Sequence, residues 1–273
     1  SRRRKVRYWI PAACSVLALC AVLTVNAVQL QRTSTVTALD VSQGQSIVFS
    51  SGRACAVVDC GGRSTAEDPG DLAARKLFAQ GHRSLDLLVL THPHDDHVNG
   101  VLRLMHWLPV RTLVIPAAAD TTQAPLSDIL ALAEANHTAV VRVDAERTVT
   151  AGGISVHLYP EPCAGQEDGS MIVLASIGDY DTLVPGDVDM TAEVKFLSSC
   201  TYPGIELLLV GHHGSNRSTS DAWLDAIAPD AAIISVGYNT YGHPTSETLE
   251  RLQAHNIPIY RTDQMGDITV HLS

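Results

Sequence analysis

The run Thr91-His92-Pro93-His94-Asp95-Asp96-His97 constrains this chain more than any other stretch. It follows directly on the apolar run Leu85-Asp86-Leu87-Leu88-Val89-Leu90, which has the length and composition of a buried strand. Three imidazoles and a carboxylate in an H-x-H-x-D-H pattern therefore gather in the loop at a strand end. Imidazole and carboxylate suit Zn²⁺, Mn²⁺ or Fe²⁺, and no thiolate competes within the cluster. Side chains of consecutive loop residues splay two ways. His92 and His94 could hold one ion while Asp96 and His97 hold a second, with a water between them that is a nucleophile at neutral pH. The alternative is a polar surface loop with coincidental histidines, which would serve for one histidine but poorly for four donors at this spacing.

A chain of 273 residues fits one large domain or two small ones. Its formal charge of −10 is unevenly spread. Six of the 19 basic side chains (Arg2, Arg3, Arg4, Lys5, Arg7, Arg32) and none of the 29 acidic ones lie in residues 1–32. The remainder carries 13 basic against 29 acidic groups, a balance of −16. Such a balance argues against a broad basic surface that would hold nucleic acid by counterion release. No C-x-x-C pair is present, which argues against a thiolate zinc site. Cys55 and Cys60 fall at opposite parity along one strand-like run and are not expected to pair. A Cys163–Cys200 bridge stays open.

Residues 8–30 form an apolar, uncharged run preceded by the basic cluster. As a helix it would extend about 35 Å at roughly 1.5 Å per residue, enough for a bilayer. The basic side would lie in the cytoplasm and the acidic body outside. A secretory signal peptide competes, because Val25-Asn26-Ala27 resembles a small-residue cleavage site. The chain begins without Met and could be a piece of a longer protein with further spans. Two units are thus expected: residues 1–32 as basic tail and transmembrane helix, and 33–273 as the catalytic body.

Within that body, short strand-like runs (36–41, 46–49, 54–59) precede a helical stretch at 71–80, the strand 85–90, and a helix over 98–107. The second half repeats the order, with strands at 154–159, 170–177, 182–184, 205–210 and 231–236. Helices fall near 190–197, 222–227 and 246–254, and a last strand at 268–272. Two β-then-α halves call for two packed sheets covered by helices.

Three further pieces follow strand ends. Asp187, in Val184-Pro185-Gly186-Asp187, could bridge two ions with one oxygen each, although alone it is as well explained as a turn residue. Gly211-His212-His213-Gly214-Ser215 delivers paired histidines, one able to ligate and the other to donate to substrate. His243, in Tyr241-Gly242-His243-Pro244, could stabilise negative charge on a reacting group. Asp59, ahead of Gly61-Gly62, is placed to orient a ligand histidine from behind.

Together these pieces resemble the metallo-β-lactamase fold superfamily, whose most specific signature is the H-x-H-x-D-H loop. Their order and wording are similar to the carboxy-terminal domain of the ComEC family of bacterial DNA-uptake channel proteins. Leu39-Asp40-Val41-Ser42-Gln43-Gly44-Gln45 looks like that family's opening L-D-V-G-Q-G-D, and Val58-Asp59-Cys60-Gly61 like its D-x-G turn. Pro185-Gly186-Asp187, His212-His213-Gly214-Ser215, Tyr241-Gly242-His243-Pro244 and Tyr260-Arg261-Thr262-Asp263 follow in the family's order. The resemblance spans residues 36–273. It departs at Ser42 (Gly in the family), Gln45 (Asp) and His94 (often Asp). The family's N-N-x-S stretch stands here as Glu167-Asp168-Gly169-Ser170, so the usual third histidine of the first site is missing and Asp168 is the available substitute.

The resemblance implies an α/β, four-layer αββα sandwich with two divalent metal ions (Zn or Mn). It implies His92 and His94 on one ion, Asp96, His97 and His212 on the other, Asp187 bridging, and His213 as the alternative to His212. His243 or Ser215 would contact phosphate oxygens. The implied task is degrading the DNA strand not imported during natural transformation, beside other uptake machinery, on the exterior face of the cell membrane. Two rivals stand: a metallohydrolase of a small phosphodiester or lactone, and a non-catalytic module that binds DNA or supports the channel.

Overall fold

A computed structural model of the chain describes residues 2–30, 33–63, 67–160 and 170–272. Two seven-stranded sheets face each other. The first runs β14 (Ile268–Leu272), β1 (Ser34–Ala38), β2 (Ile47–Ser51), β3 (Ala54–Val58), β4 (Leu85–Val89), β5 (Val110–Pro116), β6 (Ala139–Val143). The second runs β13 (Ile259–Arg261), β12 (Ala231–Ile234), β11 (Leu207–Leu209), β10 (Tyr180–Val184), β9 (Ile172–Ile177), β8 (Ile154–Tyr159), β7 (Arg147–Ala151). In each, an antiparallel meander passes into parallel strands, from β3 to β6 in one and from β10 to β13 in the other. The last strand returns to the first sheet, pairing β1 from Ser34↔Leu272 to Ala38↔Ile268.

Side-chain alternation builds the layers. On β3, Ala54, Ala56 and Val58 enter the core between the sheets, while Cys55 and Val57 face helices α2 (Pro69–Ala79), α4 (Val101–Trp107) and α5 (Leu126–Ala135). On β9, Val173, Ala175 and Ile177 face the first sheet. Ile172 and Leu174 turn to α6 (Met190–Ser199), α7 (Asp221–Ile227) and α8 (Ser246–Ala254). The expected αββα order is what these three cores make. The parity argument for Cys55 and Cys60 needs one correction. Both enter the same helix-side core, because Asp59 adopts φ 58° and breaks the alternation; they are nevertheless unpaired thiols.

The predicted helix over 98–107 divides into α3 (Asp95–Val98) and α4, separated at Asn99-Gly100. Residues 8–30 lie within a single helix, α1 (Arg2–Leu30), which exposes Trp9, Ile10, Leu17 and Val22. Among the described residues, no helix is long and apolar enough to cross a membrane.

Away from the loops at the sheet ends, His82 is buried with Nε2 2.7 Å from Ser50 Oγ. Burial lowers its pKa despite the nearby Asp86 charge. The folded chain thus resists a proton that the unfolded chain accepts at about pH 6.5. Stability from His82 is whole above that pH and lost as pH falls through the lower, folded value. Urea unfolding of wild type and His82→Gln between pH 8 and 5 should show a stability difference that shrinks as pH falls. A constant difference would contradict this.

Candidate metal centre

The centre is organised from behind by one carboxylate. Asp59 follows β3, donates its own N–H to Val89 O (2.8 Å), and is fully buried. Its Oδ1 accepts from Thr91 N, and its Oδ2 from Thr91 Oγ1, Gln45 Nε2 and His97 Nδ1, each at 2.7 Å. Four donors fill the acceptor capacity of a carboxylate. The loop after β1 braces the same region: Gln45 N donates to Asp96 O (3.0 Å) and Gly61 N to Gln45 O (3.0 Å). Ser42, where the related pattern has Gly, sits at φ 61° and packs against Gly237, where a Cβ would lie 2.4 Å from its backbone. Glycine is the residue such a backbone favours.

Hydrogen bonding sets the tautomers of three histidines. His97 donates from Nδ1 to Asp59, and His213 from Nδ1 to Ser235 O at 2.8 Å. The hydroxyl proton of Thr91 is spent on Asp59, so at 3.1 Å from His92 Nδ1 its oxygen accepts. In its neutral form each ring therefore turns an Nε2 lone pair inward. Those three Nε2 atoms and Asp187 Oδ1 are buried without a hydrogen-bond partner. They converge: His97 Nε2 lies 3.2 Å from Asp187 Oδ1, His92 Nε2 3.7 Å from Oδ2, and His213 Nε2 3.6 Å from Asp96 Oδ2 and 3.9 Å from Asp187 Oδ1. The 3.2 Å approach lacks hydrogen-bonding angles. Four buried polar atoms left bare would each be costly. Ligands at about 2.0–2.2 Å from a tetrahedral ion stand roughly 3.3–3.6 Å apart, so the spacing fits a shared cation. Two groups result: His92, His97 and Asp187, and Asp96, His97 and His213.

Electrostatics agree. Burial alone would depress His97, but Asp187 and Asp59 flank it and hold its pKa well above the usual range. Burial would raise Asp187 and Asp96, yet the imidazoles around each carry it below the ordinary carboxylate range. His92 is pushed down, first by burial and then by His97. The cluster is a buried, carboxylate-rich pocket that favours a positive charge among its rings.

The structure distributes the predicted residues differently from the expected sets. His94 is exposed, its ring 4.7 Å from that of His92, and it joins neither group. His213, not His212, stands with Asp96 and His97. Both adopt left-handed backbone, φ 51° and 54°, at a cost of roughly 1–3 kcal/mol each. That turn buries His213 beneath Ser235 and leaves His212 facing the cavity, with Nε2 3.6 Å from Asp187 Oδ2. Gly186, at φ 63° with Thr91 Oγ1 3.0 Å from any Cβ, accepts His212 N–H and aims Asp187. Ser215, expected on phosphate oxygens, is buried in the turn, where its Oγ accepts from Arg217 N (3.3 Å); it does not line the cavity. Asp168 and Cys163 lie outside the described residues.

A cavity of about 470 Å³ opens beside the groups, walled by Asp96, Asp187, His94, His212, His213 and His243. His243 Nδ1 is buried and unpartnered, its ring is 5.5 Å from that of His212, and burial followed by the neighbouring imidazoles lowers its pKa. Gln45, Thr91 and Asn239 were not singled out by their chemistry in the sequence. The one signal was Gln45 itself, standing where the resembling family has Asp.

Fold and site together define the class: a metal-dependent hydrolase. The chain belongs to the metallo-beta-lactamase superfamily, which matches residues 39–238. More particularly, it is 29% identical to ComE operon protein 3 of Bacillus subtilis, over 84% of this chain and 32% of that protein. It is 30% identical to competence protein ComA of Neisseria gonorrhoeae, over 85% of this chain and 31% of that protein. The body is thus a ComEC-type metallo-beta-lactamase domain. The chain spans about a third of the length of these curated relatives. Among solved structures, the fold is shared with YhfI of Bacillus subtilis (TM-score 0.60, 13% identity, 88% of this chain and 100% of that one). It is shared also with Zn²⁺-bound PqqB of Methylobacterium extorquens (TM-score 0.55, 15% identity, 87% and 100%).

Proposed function

We propose that His92, His97, His213, Asp96 and Asp187 hold two divalent cations, Zn²⁺ or Mn²⁺, and that the chain hydrolyses phosphodiester bonds of nucleic acid. The observation that carries the metal assignment is the convergence of three tautomer-fixed Nε2 lone pairs and Asp187 Oδ1 on one space without hydrogen-bond partners. Bound there, such cations supply Lewis acidity and lower the pKa of water towards neutrality. The chain's own groups do the rest. Asp59 keeps His97 in its ligating tautomer. His212 and His243, on the cavity side, are largely neutral at pH 7, and an imidazole N–H there donates to a phosphate oxygen as charge grows.

Similarity to competence proteins supports DNA as substrate and, as part of the same proposal, removal of the non-imported strand beside the uptake machinery. The proposal places the body on the exterior face of the cell membrane. A second reading, hydrolysis of a small phosphodiester or lactone, is favoured by the −16 balance of residues 33–273. The purified chain, incubated with labelled single- and double-stranded DNA in Mn²⁺, Zn²⁺ or EDTA, separates the two. Cleavage with metal and none with EDTA supports the nuclease. Two ions bound without cleavage of either DNA moves the assignment to a small ester, and failure to bind ions leaves a non-catalytic module.

A further inference from the structure

Rings form a row from the centre to the cavity mouth. Centroids are 5.2 Å apart for His97 and His213, 6.4 Å for His213 and His212, 5.5 Å for His212 and His243, and 5.9 Å for His243 and Tyr241. Arg63 ends the row, its Cζ 6.0 Å from the Tyr241 ring. Apart from histidines, the charged groups lining this cavity among the described residues are Asp95, Asp96, Asp187 and a single cation, Arg63. Arg63 is exposed and pairs with no carboxylate among the described residues. At 6.0 Å its contact with the ring is at the outer limit of cation–π attraction, so the ring does not spend its charge.

Tyr241 is 58% exposed, so its ring contributes little to the core. The backbone beneath it is nevertheless held. Asn239 donates from Nδ2 to Gly237 O (2.9 Å) and His243 O (2.8 Å), and its Oδ1 accepts from Tyr241 N (3.1 Å) and His243 N (3.0 Å). All four hydrogen-bonding positions of the amide are used to fold this loop. Across the mouth, Arg63 N donates to Gln43 O (2.9 Å), and Gly62 is clasped by both amide atoms of Asn99. An open aromatic face and an uncompensated guanidinium are thus presented on held backbone, two histidines (His212 and His243) away from the metal groups.

We infer that Arg63 and Tyr241 form a nucleotide subsite at the cavity mouth, Arg63 taking a phosphate and Tyr241 stacking its base, which selects single-stranded nucleic acid. This rests on the hydrolytic reading above and names its substrate. A duplex keeps its bases stacked on one another and offers none to a tyrosine face. Duplex binders neutralise many phosphates, and among the described residues this mouth offers one cation. Stacking therefore carries most of the recognition, which reconciles an acidic body with a polyanionic substrate.

The test uses the full chain with Mn²⁺ and three fluorescein-labelled probes: a single-stranded 12-mer, its duplex, and a 12-mer abasic on both sides of the labelled linkage. Both kcat/KM and the anisotropy Kd are measured. Tyr241→Ala should weaken the single strand roughly 10-fold or more and leave the abasic strand within twofold, since only stacking is lost. Tyr241→Phe, which keeps the ring, should rescue it. Arg63→Gln should weaken both strands alike, and the slope of log K against log salt should move from about −0.7 towards zero. If both variants stay within twofold on the single strand, or if the duplex is preferred, the subsite is overturned. If the Kd pattern appears without cleavage, the subsite stands and the hydrolytic reading falls.

Discussion

Asp187→Asn is expected to lower metal-dependent hydrolysis by at least about a thousandfold while leaving the chain folded. Among the described residues, Asp187 is the one carboxylate that approaches all four of these imidazoles, at 3.2 to 3.9 Å from His92, His97, His212 and His213. A carboxamide keeps the shape but removes the negative charge that draws cations into a pocket of rings. Loss of several kcal/mol of charge stabilisation corresponds to three or more powers of ten in rate. Asp187 anchors no sheet hydrogen bond and stands at the cavity wall, so its loss costs the metal-free fold less than it costs metal binding. In EDTA, wild type and variant should therefore melt within a few degrees of each other. On adding metal, the wild-type Tm should rise by linkage and the variant's should not. Activity above a tenth of wild type, or an undiminished metal-induced rise in Tm, would contradict the assignment.

Asp59→Asn should behave in the opposite way, damaging the metal-free fold first. Its carboxylate accepts four hydrogen bonds in a fully buried place. An asparagine must turn its NH₂ either towards Thr91 N–H or towards the three donors that share Oδ2. Breaking a buried charged network of this kind costs about 3–5 kcal/mol. For a body of this size, that is a fall in Tm of roughly 6–15 °C, visible in EDTA. His97 also loses the partner that fixes its tautomer, so metal affinity should drop by about 10- to 100-fold. Equal Tm values for wild type and Asp59→Asn without metal would show that Asp59 is not the organiser described here.

The contrast between these residues marks what the sequence makes legible. An apolar run ending in H-x-H-x-D-H announces a strand feeding a metal loop, and Asp59 before Gly61-Gly62 is recognisable as the residue behind it. The αββα layering follows from two β-then-α halves. Ligand choice within the loops is another matter. Whether His212 or His213 turns inward depends on two successive residues with positive φ, a conformation that non-glycine residues rarely adopt and no periodicity announces. The same physics defeated the parity argument for Cys55 and Cys60, where one positive φ at Asp59 reset the alternation. Strands β7 and β13 are not legible in the sequence because they are sheet edges, partly exposed, with little apolar signal. Gln45, Thr91 and Asn239 act through hydrogen bonds to residues distant in sequence or to loop backbone, and composition alone does not single them out.

The central claim is that two cations occupy the space bounded by His92, His97, His213, Asp96 and Asp187. The most direct test is a metal count: the chain is stripped with chelator, reloaded with Mn²⁺ or Zn²⁺, dialysed, and assayed for metal per polypeptide by elemental mass spectrometry. The account predicts two ions per wild-type chain, one in His213→Ala, and none retained by Asp187→Asn. A wild-type chain that retains no ion, or a His213→Ala chain that still retains two, would contradict it.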